Sequence, residues 1–262
     1  MQHISNERLM RACPSVVTTS PYEKCSDKYS LISTLDVLDG LKDIGFFPVA
    51  AMQSRSRNPD RRSVGKHMIR LRREQDLNVQ VGGNVPEIVL VNSHDGSSSY
   101  QLRAGIYRLV CSNGMIVGDD AFCQRVRHQG NVVDKVVNAC GEIIDVFPEV
   151  LDKADQWKGI QLSRPAQLAY ADAARSLKWD DDSNTEVEPG ALLVPMRSAD
   201  QSNDLWTTFN RVQEHLIRGG IRTRNKETRQ RRKSSEVNSP SENNRLNTAL
   251  WKLTQEMERL AT

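Results

Sequence analysis

At 262 residues the chain can bury a substantial core, in one large or two small domains. A hydrophobic content of 38% with 5% aromatic residues points to segments left outside that core; no apolar run is long enough to cross a bilayer, and the start lacks a signal-peptide pattern. The formal net charge of +3 conceals two basic segments, 55–73 and 218–233, each carrying net +7 and leaving −11 for the remainder. An acidic body with two cationic segments is a signal for an anionic partner. The five cysteines, Cys13, Cys25, Cys111, Cys123 and Cys140, are odd in number and include no C-x-x-C pair. That favours reduced thiols in the cytoplasm over a disulfide frame or a zinc clip.

Residues 1–30 show no sustained period and read as irregular. Thr34, Val37, Leu38, Leu41 and Ile44 predict an amphipathic helix stopped near Gly45, and 46–52 a strand. Asn58-Pro59-Asp60 is turn chemistry, so 55–62 reads as a loop. Over 67–73 the residues alternate, with Ile69 and Leu71 on one face and Met68, Arg70 and Arg72 on the other; this predicts a strand with arginines on an open face. Residues 87–92 predict a second strand, His94-Asp95-Gly96 a turn, and 97–102 the return, giving about three antiparallel strands between 67 and 102.

Between 100 and 119, Leu102, Ile106, Leu109 and Val110 fall on one helical face, and strand alternation fails after Ile106. The expectation is a short helix closed at Asn113-Gly114, then a buried strand at 115–117. Residues 131–147 predict the clearest helix, through Val132, Val133, Val136, Val137, Cys140, Ile143, Ile144 and Phe147, with Pro148 interrupting it. A helix over 165–179 takes Pro165 in its first turn, and 180–189 reads as an exposed acidic loop. Leu205, Phe209, Val212 and Leu216 mark a helix capped by Asp204 or Asn203 and closed by Gly219-Gly220. The class is α+β: a central antiparallel sheet at about 46–117, packed by the 131–147 helix and further C-terminal helices. The expected divisions are an irregular 1–30, a core domain over 31–220, a basic flexible linker over 221–244 and a C-terminal helix over 245–262.

No catalytic signature stands out. His67, His94 and His128 with Cys111 and Cys123 could make a metal site, but no two share a helical i, i+3 or i+4 spacing. Cys111 or Cys123 with His128 could form a nucleophile–base pair, as could many pairs in a chain with five of each. Gly82-Gly83 stands alone, without the Lys-Ser/Thr end of a phosphate loop. No metal and no cofactor are expected. Anion binding fares better. Arg55, Arg57, Arg61, Arg62, Lys66, Arg70 and Arg72 could track a phosphate backbone, with Tyr100 and Tyr107 stacking on exposed bases.

The segments YRLVCSNGMIVGDD at 107–120, LWTTFNRVQEHLIRGG at 205–220 and LNTALWKL at 246–253 resemble a prophage and plasmid family catalogued as domain of unknown function 932, with members among Escherichia coli cryptic-prophage proteins. The resemblance spans nearly the whole chain. It implies a cytosolic protein of a mobile element and brings no catalytic residues with it. The order of sheet hairpin, long helix and basic residues is also similar to the core of strand-annealing proteins, which form rings on single-stranded DNA; that is a fold-level analogy. The function expected is therefore non-enzymatic nucleic-acid binding, of single-stranded DNA first, with assembly into a homo-oligomer and no membrane partner. The alternatives are a protein-interaction factor aimed at host or phage defence components, its last helix docked in a partner's groove, and an enzyme of unrecognised type.

Overall fold

The computed structural model describes residues 3–23, 25, 29–78, 83–109, 113–118, 120–180 and 182–261. The chain forms two compact units: residues 1–148 with 238–241, and residues 149–237 with 242–262. The division at 148/149 falls within the 31–220 span read from the sequence as a core domain. The class is α+β, as the sequence indicates.

The first unit is built on a six-stranded antiparallel sheet. Its strands are β1 (Phe46–Gln53), β2 (His67–Arg73), β3 (Asn84–Asn92), β4 (Tyr100–Arg108), β5 (Asn113–Ile116) and β6 (Cys123–Val126). They run in the order β1-β2-β3-β4-β5, and β6 also pairs with β4. The far edge of β4 is thus shared: Tyr100 to Arg103 face β6, and Gly105 to Arg108 face β5. Before the sheet come α1 (Asn6–Ala12), a single 3₁₀ turn at Pro14–Val17, and α2 (Thr34–Asp43); α3 (Pro59–Val64) follows β1, and α4 (Val132–Asp145) follows β6. Residues 1–30 are therefore partly helical, contrary to expectation. With Leu9 its only buried residue, α1 is too short to show a period. Part of the 55–62 loop is likewise helical, because Asn58 accepts from the Asp60 amide and starts α3.

The expected helix at 102–110 is a strand. Leu102, Ala104 and Ile106 lie on one side of β4, Arg103, Gly105 and Tyr107 on the other, and all six are buried. A strand covered on both sides loses the polar–apolar alternation that would reveal it. Val110 lies outside the described residues. Gly114 is not a helix stop. It is the second residue of β5, where a Cβ would come within 2.5 Å of the Arg70 guanidinium, so glycine is there for close approach.

Pairing register places His67, Ile69, Leu71 and Arg73 on one face of the sheet with Leu90, Ile88, Tyr100, Leu102 and Ile106. That face carries α2 and α4: α2 is capped by Ser33, and α4, capped by Asn131, turns Val132, Val136, Cys140 and Ile143 inward. The opposite face carries a smaller apolar cluster of Met68, Val89, Val91 and Ile116.

In the second unit, α5 (Phe147–Gly159) enters from the first, and α6 (Arg164–Ser176) begins at a Ser163 cap with Pro165 in its first turn. α7 (Leu205–Arg218) is capped by Asp204 and buried along almost its whole length. Trp157, Trp206, Phe209 and Trp251 cluster around it at 4.6–6.2 Å between rings. The last helix, α8 (Pro240–Ala261), buries Leu246, Leu250 and Trp251 in its own chain, and Gln213 donates to Asn247 at 2.7 Å. The segment 221–244, expected as a flexible arm, contains a paired ribbon. β8 (Arg222–Asn225) pairs with β9 (Arg231–Lys233) and with β7 (Thr185–Glu186) from the acidic loop.

The ribbon leaves α7 through Gly219, at φ 71° and ψ −145°, a conformation open almost only to glycine. A Cβ there would also meet the Ser234 and Ser235 carbonyl oxygens at 2.6 Å. Gly219→Ala is expected to lower unfolding free energy by about 1–3 kcal/mol, read as a lower denaturant midpoint with an unchanged slope.

Candidate nucleic-acid interface

The nine residues assigned from sequence divide sharply. Arg55, Arg57, Arg61 and Arg62 are exposed and Lys66 is half-buried. Arg70 and Arg72 are only 9% and 2% exposed, and Tyr100 and Tyr107 are 0% and 8%. The open arginine face expected on β2 is therefore corrected to a closed one, and neither tyrosine is available to stack on a base. The reason is Glu87, on β3 and fully buried. Arg70 Nη1 donates to it at 2.8 Å and Arg72 Nε at 2.5 Å. Arg70 also donates to the Gly114 carbonyl at 2.8 Å, and the Arg72 guanidinium lies 3.5 Å from the Tyr107 ring centre. Two cations inside the protein are held by one carboxylate, a π face and backbone oxygens.

The four exposed arginines lie on the β1–β2 connection. Among the described residues none of them, nor Lys66, forms an ion pair. Arg55 and Arg62 line an open depression of about 330 Å³, together with Ala12, Pro14, Gln53 and Ser56. The connection is held in shape by its own hydrogen bonds. Arg62 Nε donates to the Ser56 carbonyl at 2.9 Å, Gln53 Nε2 donates to the Arg62 carbonyl at 2.5 Å, and the Ser54 amide donates to Lys66 at 2.8 Å.

Gln53 leads inward to a group the sequence named only as scattered histidines. His67 and His94 have ring centres 5.6 Å apart, and His94 and His128 6.0 Å. Their protons can be assigned from their partners. Ser15 Oγ donates to Gln53 Oε1 at 2.9 Å, so it accepts from His67 Nδ1 at 2.7 Å. His67 Nε2 then holds a lone pair and accepts the Thr34 hydroxyl proton at 3.0 Å. The Thr34 oxygen accepts from His94 Nε2 at 3.0 Å and from the Asn92 amide at 3.3 Å. Asn92 Oδ1 in turn accepts from His128 Nε2 at 2.8 Å. Every ring in this arrangement is neutral. Burial drives that, holding His67 down at about 4, His94 at about 3, and His128 below its ordinary value.

The three histidines do meet, yet their inward nitrogens are committed to hydrogen bonds, and no group of three or more metal-ligating side chains is arranged around an ion among the described residues. Cys111 and Gly82 lie outside the described residues. Cys123 sits opposite Arg103 on β6, on the sheet face away from His128, so that nucleophile–base pair is not assembled. Burial pushes the Cys13 and Cys140 thiols up to about 12, which leaves both protonated and unreactive.

A family model described as "Domain of unknown function (DUF932)" matches residues 21–251. The chain belongs to this family. It is 42% identical to UPF0380 protein YafZ and 41% identical to UPF0380 protein YfjQ, both of Escherichia coli strain K12, in each case over 95% of its own length and 89% of the relative's. No solved structure matches it.

For this DUF932 chain the missed polar cluster had one sequence signal. His67 opens β2 and Asn92 closes β3, directly opposed, and each polar residue adjoins an apolar stretch, Met68-Ile69 in one strand and Ile88 to Val91 in the other. Two measurements test the internal chemistry. The histidines are neutral when folded and have depressed pKa values, so the unfolded chain binds more protons below pH ~6.5. Their stabilisation is complete above that pH and is lost as pH falls toward the folded values. Unfolding free energy should drop between pH ~6.5 and ~4.5 by up to ~1.4 kcal/mol per pH unit for each histidine, with a shallower limb in His94→Gln. Glu87→Gln leaves two buried cations without their carboxylate and should cost about 3–5 kcal/mol in denaturant unfolding.

Proposed function

We propose that this chain is a non-enzymatic nucleic-acid-binding protein of a prophage, phage or plasmid, acting in the cytoplasm on single-stranded DNA, which it holds or anneals. The observation that carries this reading is the group Arg55, Arg57, Arg61 and Arg62: exposed, close in sequence, without an ion pair among the described residues, and beside an open depression. The rest of the protein outside its two basic segments is acidic, so four unneutralised guanidinium groups concentrate a positive potential at one place. Each can donate in a fork to phosphate oxygens. The loop beneath them is braced by Gln53 and Ser15, so little backbone ordering is left to pay for on binding.

Arg70, Arg72, Tyr100 and Tyr107 have no part in this contact, because their side chains serve the interior. A terminal helix docked in a partner's groove, the central element of the protein-interaction alternative, has less support, since α8 buries Leu246, Leu250 and Trp251 in this chain and leaves Leu260 exposed near its end. No helix among the described residues is long and apolar enough to cross a membrane.

The test is binding of labelled single-stranded DNA across a salt series. Affinity should fall steeply with salt, and the combined variant Arg55→Gln, Arg57→Gln, Arg61→Gln and Arg62→Gln should reduce the log–log slope by roughly 3, at about 0.7 per single-strand phosphate. No binding at low salt sinks the reading, and an unchanged slope removes these four residues from the site.

A further inference from the structure

We infer that the ribbon of β8 and β9 is a second phosphate-contacting surface, and that its ligand is double-stranded nucleic acid. The register sets Arg222 directly opposite Lys233 and Arg224 directly opposite Arg231. Residues opposed in an antiparallel pair, and residues two apart along a strand, point to the same face. Four cations therefore share one face of a short ribbon, in two rows about 7 Å apart along the strands. Arg222, Arg231 and Lys233 are exposed and Arg224 is half-buried. Like charges directly opposite each other oppose pairing. A polyanion laid across the face removes that repulsion.

The fold does not neutralise this face from within. Glu186 on β7 lies opposite Arg224, but its ion pair is with Arg229, at 3.7 Å. Among the described residues, none of Arg222, Arg224, Arg231 and Lys233 has a carboxylate within ion-pair distance. Arg229 sits near the tip at φ 58°, the one non-glycine residue with a positive φ among those described. Glycine would occupy that position without strain, so the turn retains a cation where the backbone favours its absence.

The ribbon is also held firmly. The Gly220 amide donates to Ser234 and the Ser234 amide to Ile221, each at 2.9 Å, while the Asn225 amide closes the turn on Gln230 at 2.9 Å. Asn225 Oδ1 accepts from the Thr228 amide at 2.7 Å, and Thr223 is buried on the inner side. On that inner parity Arg232 is occupied by Gln230, at 2.8 Å and 3.1 Å.

Duplex is favoured over single strands by what the ribbon lacks. Residues 218–237 contain no Phe, Tyr or Trp, so no ring is present to stack on an unpaired base. β7 adds only a two-residue pairing, at Asn225 and Arg224; beyond it the ribbon is two strands wide, a cross-section that the major groove of a duplex admits, with phosphates on both sides. This surface is independent of the Arg55 to Arg62 group, and either can fail alone.

The experiment uses the full-length protein with a labelled duplex and a labelled single strand of the same sequence, each titrated across salt. The variant Arg222→Gln, Arg224→Gln, Arg231→Gln, Lys233→Gln should melt no lower than the parent, because opposed like charges are removed. If it does melt lower, the outer pair alone, Arg222→Gln with Lys233→Gln, carries the test. Expected for the four-residue variant are a tenfold or greater loss of duplex affinity at low salt and a slope smaller by roughly 3–4, at about 0.9 per duplex phosphate. For the outer pair the slope falls by about 2. Single-strand affinity should change less than threefold in both. Unchanged duplex binding overturns the inference while leaving the Arg55 to Arg62 reading intact. So does an equal loss for duplex and single strand, which denies the ribbon its preference. A parent protein that binds no duplex at low salt overturns it whatever the single strands do.

Discussion

A hydroxyl group has one proton and two lone pairs, and Thr34 uses all three. It donates to His67 and accepts from His94 and Asn92. Thr34 opens α2, and its partners come from the start of β2, the end of β3 and the turn after it. Tyr100, at the start of β4, also approaches Thr34 at 3.3 Å and donates to the Ile32 carbonyl. One buried oxygen therefore fixes the end of the sheet against the helix that covers it. Because a buried donor without an acceptor is costly, the arrangement tolerates only one set of tautomers. Through Ser15 and Gln53 the same chain of bonds reaches the β1–β2 connection and its four exposed arginines. Interior proton placement and the shape of the outer loop are one problem in this protein.

Across the sheet the constraint is electrostatic. Arg70 and Arg72 point away from Thr34, into a region where Glu87 is fully buried. Glu87 faces both guanidinium groups, and the fold adds lone pairs and π density to it: the Gly114 and Met115 carbonyls for Arg70, and the Tyr107 ring for Arg72. Gly114 is what allows the approach, since any side chain there would occupy the guanidinium's position. The quoted segment around 107–120 thus contains a structural cradle for an arginine forty residues earlier. That relation has no local signature.

What could be read from the sequence was whatever is encoded within a turn or two. Asp204, one of the two caps offered for it, does cap α7, and α4 and α7 follow their apolar spacing. β1 to β3 follow from alternation and turns. Elements whose logic is non-local were hidden. β4 reads as a helix because both its faces are covered, so its alternation is between apolar residues and a buried arginine. Residues 222–233 read as an unstructured arm because composition was the available guide, and composition says nothing about the two Ser234 bonds or the Gly219 conformation that fold it back. At the interface the four outer arginines were legible because Asn58-Pro59-Asp60 marks an exposed turn. Arg70 and Arg72 were not, because Glu87 approaches them only through strand pairing.

The division among the arginines follows a simple physical criterion. Arginine keeps its charge wherever it is placed, so its role depends on whether the fold brings an acceptor to it. Around Arg70 and Arg72 the pairing of β2 with β3 does so, and the cations become internal braces. Arg55, Arg57, Arg61 and Arg62, and Arg222, Arg224, Arg231 and Lys233 on the ribbon, receive no carboxylate partner among the described residues, although the chain outside its basic segments carries net −11. The acids were available in number and were placed elsewhere, in local pairs such as Asp172 with Arg175 and Glu242 with Arg245, or buried as Glu214 is between Arg197 and Arg218. A charge that the fold could have neutralised and has left open is the kind that an external anion completes. On that ground the outer arginines, and not the more conspicuous alternating pair on β2, are the residues we propose to face a partner.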